Sequence, residues 1–113
     1  MGSIIYDGTT VQFEDRLLTH LQIVIIQKFQ RGESFLMSWK DSPTIGDGRA
    51  AIWLTPTIPI YFKFLGSRLP DINRDWLMHL GESSDSSQGL IVTGEDGKLA
   101  TSMPAGKYPG TLV

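Results

Sequence analysis

A chain of 113 residues with 41% apolar and 19% charged side chains has room for one core, which excludes a two-domain architecture and a disordered chain. Ten Lys+Arg against twelve Asp+Glu leave a net charge of −2, which excludes a global positive field that would draw in nucleic acid or anionic lipid. Zero Cys excludes a disulfide framework, a thiolate zinc site and a cysteine nucleophile, and the apolar run Leu21 to Ile26 is far too short to cross a bilayer.

In chain order, the start Met1-Gly2-Ser3-Ile4 lacks the basic segment and apolar run of a secretion signal, so a cytoplasmic location is expected. Ser3 to Tyr6 and Thr10 to Phe13 are short β-rich runs around Asp7-Gly8, a dipeptide that tolerates the positive φ angles of a tight hairpin. Asp15 reads as the N-cap of a helix running to about Gln30, which Gly32 terminates. At 100° per residue, Leu17, Leu18, Leu21, Val24, Ile25 and Phe29 share one broad face, the predicted core stripe. Ile23 and Ile26 fall on the opposite, otherwise polar side and need a second partner.

Phe35 to Lys40 alternates with strand periodicity, Asp41 to Gly48 is rich in turn formers, and Arg49 to Thr55 and Ile60 to Phe64 read as further strands. These three strands are expected in one antiparallel-rich sheet. Pro56 and Pro59 place the connection between the last two at an edge or turn, since proline cannot donate to a ladder. Asp71 or Asn73 caps a second helix carrying Ile72, Trp76, Leu77 and Leu80, and Leu90 to Thr93 adds a last strand. The expected fold is α+β in the order ββαβββαβ, a single domain over residues 1–93 followed by an extended Gly- and Pro-containing arm over 94–113.

Chemistry is sparse. His20 and His79 have no neighbouring ligand set, and both read as helix-edge or helix-end residues. Gly46-Asp47-Gly48 lacks the acidic spacing and closing Glu of a calcium loop. No nucleophile elbow, phosphate-binding loop or dinucleotide fingerprint is present, and adjacent acids such as Glu14-Asp15 and Glu95-Asp96 read as solvated turn residues. No cofactor, metal site or catalytic residue is expected. Trp39, Trp53, Tyr61, Phe62 and Phe64 lie on strands with Lys40, Arg49, Lys63, Arg68 and Arg74 interleaved: on one sheet face such a combination stacks bases and pairs phosphates, whereas strand alternation is expected to turn the aromatics inward to the core and the cations outward.

The segments Asp15 to Ile25, Arg31-Gly32-Glu33-Ser34-Phe35, Ser38-Trp39, Gly46-Asp47-Gly48-Arg49, Ile52-Trp53-Leu54, Pro56 to Phe64, Gly66-Ser67-Arg68 and Asn73-Arg74-Asp75-Trp76 resemble a family of small actinobacterial single-domain proteins of unknown function. The resemblance covers roughly residues 1–92. Members of that family are often labelled ATP-dependent DNA ligases, which implies a covalent adenylate on a lysine embedded as K-x-D-G. Before Asp47-Gly48 that lysine position holds Ile45, and before Asp96-Gly97 it holds Gly94.

Two functional readings follow. The first is a non-enzymatic assembly module that associates with itself or decorates a larger assembly such as a bacteriophage virion, through Ile23, Ile26 and the arm residues Leu99, Met103, Tyr108, Leu112 and Val113. The second is a nucleic-acid-binding accessory that uses Trp39, Lys40, Arg49, Trp53, Lys63, Arg68 and Arg74. Neither involves a membrane.

Overall fold

The computed structural model describes residues 1–46 and 48–103. Among the described residues two helices and six strands follow in the order ββαβββαβ, an α+β fold. Strands β1 (Gly2–Tyr6) and β2 (Thr9–Phe13) form the opening antiparallel hairpin, and its turn needs the two positive φ angles that Asp7 (50°) and Gly8 (84°) adopt. Helix α1 (Asp15–Gln30) follows, then β3 (Phe35–Lys40), a short 3-10 turn at Pro43–Ile45, β4 (Arg49–Leu54), β5 (Ile60–Lys63), helix α2 (Arg74–Ser84) and β6 (Leu90–Ile91).

Asp15 does not cap α1. It is the helix's first residue, and Glu14 holds the cap position without a side-chain capping bond. The Asp15 carboxylate instead accepts the backbone N–H groups of Leu65 (3.1 Å) and Gly66 (2.8 Å), pinning the loop after β5 to the start of the helix. Burial pushes its pKa up, but those two donors and the nearby N-terminal amine together hold it below the ordinary carboxylate value. Asn73 does cap α2, its Oδ1 accepting the Trp76 N–H at 3.1 Å.

The strands divide into two sheets of three, ordered β2-β1-β5 and β4-β3-β6. The single sheet expected for β3, β4 and β5 is therefore not formed. β5 leaves its chain neighbour β4 and pairs antiparallel with β1, placing Tyr61 opposite Ile5 and Lys63 opposite Ser3. The proline-bounded turn after β4 carries the chain across, and the Tyr6 hydroxyl fixes the crossing by accepting from Thr55 N at 2.8 Å and donating to Thr55 O at 3.3 Å. β3 pairs antiparallel with β4 and parallel with β6.

The two sheets are joined along a seam by the segment Ala100 to Met103. Lys40 N donates to Ala100 O (2.9 Å) and Ser102 N to Lys40 O (2.8 Å) on β3, while Met103 N donates to Gln12 O (2.7 Å) on β2. The start of the expected arm is thus docked on its own chain. Leu17, Leu18, Leu21, Val24 and Ile25 of α1 pack into one buried cluster with Ile4, Phe13, Met37, Leu54, Trp76 and Leu80, and Phe29 is half-buried against it.

Candidate functional site

The residues chosen for association sit differently from one another. Ile23 and Ile26 are both half-buried, so α1 presents no exposed isoleucine patch. Leu99 is half-buried and bridges antiparallel to Thr93, and Met103 keeps an exposed side chain while its backbone pairs with Gln12. Tyr108, Leu112 and Val113 lie outside the described residues.

Of the aromatic and cationic set, Trp39 points inward: it is buried, edge-on to Phe13 with ring centroids 6.1 Å apart, and its Nε1 donates to Asp41 Oδ1 at 3.1 Å. The remaining members scatter. Lys63 is exposed on the β2-β1-β5 sheet, Arg68 on the loop after it and Arg74 at the start of α2, whereas Lys40, Arg49 and Trp53 share one outer face. That face follows from strand alternation, with Phe35, Met37 and Trp39 inward and Leu36, Ser38 and Lys40 outward, and with Arg49, Ala51 and Trp53 in register opposite them.

Each sheet carries an aromatic–aliphatic pair on its outer face. Trp53, 60% exposed, lies opposite Leu36, and Tyr61, 58% exposed, lies opposite Ile5. Sheets packed on a single core present mostly polar residues outward, so these pairs are not explained by burial on folding.

Two polar clusters escaped the sequence reading because each joins residues far apart in the chain. In the first, Arg16 grips Glu95 through Nε and Nη2, both at 3.0 Å, and Asn73 Nδ2 donates to Glu95 Oε2 at 2.8 Å. Those donors hold the Glu95 carboxyl down at about 2. Beneath them His20 is fully buried: Nδ1 donates to Arg16 O at 2.7 Å and Nε2 accepts from Asn73 N at 3.0 Å, with the ring 4.3 Å from that of Trp76. Both imidazole nitrogens are consumed by backbone groups, so His20 is a structural bracket between α1 and the start of α2. No proton-transfer position is left on it.

In the second cluster Lys28, only 8% exposed, lies 3.0 Å from both Glu33 and Asp85, and Arg31 reaches the same two carboxylates at 3.4 and 3.5 Å. Burial opposes the charged ammonium, yet hydrogen bonds to Asp85 and Glu33 outweigh it and raise the Lys28 pKa above its ordinary value. Beside this cluster a pocket of about 250 Å³ opens between Trp53, Leu36 and the serines following α2.

Among the described residues no group of three or more His, Asp or Glu side chains could hold a metal ion, and no helix is long and apolar enough to cross a membrane. No curated protein and no solved structure matches the chain. Residues 1–95 match a family described as a domain of unknown function, DUF7882, and the chain belongs to that family.

Proposed function

We propose that this chain is a non-enzymatic association module that joins copies of itself or attaches to a larger protein assembly, a phage virion being one such class. The observation that carries the reading is the pair of exposed aromatics, Trp53 opposite Leu36 and Tyr61 opposite Ile5, on the two outer sheet faces. Tryptophan and tyrosine bring large contact area at low side-chain entropy and are enriched at interface centres. The contact surface therefore moves from the helix, where Ile23 and Ile26 are half-buried, to the sheets. The ligase label attached to similar actinobacterial domains lacks chemical support here: Ile5, Ile45 and Gly94 occupy the positions where an adenylated lysine would precede Asp7-Gly8, Asp47-Gly48 and Asp96-Gly97.

Sedimentation of the wild type and of a Trp53→Ser, Tyr61→Ser double variant over a wide concentration range tests the reading. Concentration-dependent association of the wild type that the variant loses is expected. A wild type that remains monomeric, and joins no larger native particle in preference to the variant, overturns it.

Nucleic-acid binding is the second reading, favoured by the register of Lys40 opposite Arg49 on the same face as Trp53. Titration with a single-stranded oligonucleotide at two salt concentrations separates the two, since phosphate contacts weaken steeply as salt rises and apolar association does not.

A further inference from the structure

We propose that the pocket between Trp53 and the turn after α2 is a binding site for an uncharged, hydroxyl-rich ring, that is, a saccharide unit. The proposal goes beyond the association reading but shares Trp53 and Leu36 with it, and it rests on how the pocket's wall, rim and charges divide the work.

The wall is apolar and flat. Trp53 and Leu36 stand side by side on the outer sheet face, with most of the indole open to solvent. A sugar ring has one face of C–H groups, which an exposed indole accommodates by dispersion and desolvation without needing charge.

The rim is made of hydroxyls. Ser34, Ser86 and Ser87 are exposed there, and Ser84 is buried beneath them. Ser86 Oγ donates to Ser83 O at 2.7 Å and Ser84 Oγ to Gly81 O at 2.6 Å, so each of these oxygens spends its proton on the backbone and keeps lone pairs for an incoming donor. The partly exposed Asp85 carboxylate adds further acceptor capacity at the same wall.

The charges exclude the alternatives. Lys28 and Arg31 are matched by Glu33 and Asp85 in one closed network, so the site carries no surplus charge to attract a phosphate, a carboxylate or an ammonium group. A lining shared between apolar and polar groups also disfavours a purely aliphatic occupant. Gly89, also in the lining, lets the turn before β6 lie directly against the Leu36 backbone: it has φ +80°, and a Cβ there would sit 2.3 Å from Leu36 O. At about 250 Å³ the cavity takes one ring, with further units running out over the serines.

The test is a titration of the full chain with glucose, galactose, mannose, N-acetylglucosamine and short oligomers of each, read by tryptophan fluorescence and acrylamide quenching. Trp39 and Trp76 are buried, so quenching reports mainly Trp53. At least one sugar should saturate, protecting Trp53 from quenching and binding more tightly as an oligomer. Trp53→Ala should abolish binding, and Ser87→Phe, which fills the pocket from its exposed rim and leaves Trp53 in place, should weaken it by about tenfold or more. Ser87→Phe should leave sedimentation unchanged, which distinguishes failure of the sugar site from failure of the association reading. The proposal is overturned if no sugar saturates, if binding survives both substitutions, or if a single-stranded oligonucleotide protects Trp53 where no sugar does.

Discussion

The turn before β6 depends on Gly89 for two reasons at once, a left-handed φ and a backbone approach that leaves no room for a Cβ beside Leu36 O. Gly97 has a similar φ of +78° but nothing within 4 Å of the Cβ position. Gly97→Ala should therefore lose only the conformational term, about 1–2 kcal/mol, whereas Gly89→Ala should lose that and a steric term of about 1–3 kcal/mol more. Urea unfolding of the two variants checks the difference, and equal midpoints would mean that the approach to Leu36 relaxes freely. Glu95 makes a second residue-scale prediction. Its carboxyl titrates at about 2 in the fold against an ordinary 4.5, so the unfolded chain binds the extra proton first. The stabilisation is fully present above pH 4.5 and is lost as pH falls towards 2. Unfolding of wild type and Glu95→Gln measured from pH 6 down to pH 2 should show a gap that closes across that window. Because the pair is solvent-exposed, added salt should shrink the gap at neutral pH.

At the scale of elements, α1 is the centre of the packing. Leu21 is fully buried, so Leu21→Ala should destabilise by about 2–5 kcal/mol in urea unfolding. A loss under about 1 kcal/mol would contradict its place in the core. This helix was legible in the sequence because its signal is local: the stripe from Leu17 to Ile25 repeats within a few turns. The opening hairpin was equally legible through Asp7-Gly8, and β3 through its alternation. What could not be read was the pairing of β5 with β1, since Ile60 to Lys63 alternates the same way whichever neighbour it joins. The same limit hid the polar clusters. Arg16, Asn73 and Glu95 are ordinary surface residues in sequence and meet only because α2 and the turn after β6 return to the start of α1. His20 looked peripheral because its two backbone partners arise from separate segments. Among the candidate site residues, Arg49 and Trp53 lie on the outer face of their sheet, while Trp39, in the same aromatic set, turns inward on the neighbouring strand, a division that the aromatic pattern alone does not decide.

At the scale of the whole molecule, backbone hydrogen bonds through Ala100 to Met103 bridge β2 and β3, and this seam begins after the stretch that matches the family, residues 1–95. A chain ending at Met103 keeps every seam hydrogen bond. A chain ending at Thr93 loses the three bonds to Lys40 and Gln12, the bonds from Arg16 and Asn73 to Glu95, and the cover over the edge of β2. At about 1 kcal/mol net for each of the three seam bonds, the shorter chain should be less stable than the longer by about 3 kcal/mol. Its bare strand edges then offer unpaired N–H and C=O groups to other chains, so it should self-associate more strongly than the full chain. That direction is opposite to the one expected if the segment after Thr93 were an arm used only to bind a neighbour. Urea midpoints and sedimentation of the two truncated chains decide it: equal stability of the two, or weaker association of the shorter one, would remove the seam from the fold's essential structure and return residues 94–103 to the role of a free arm.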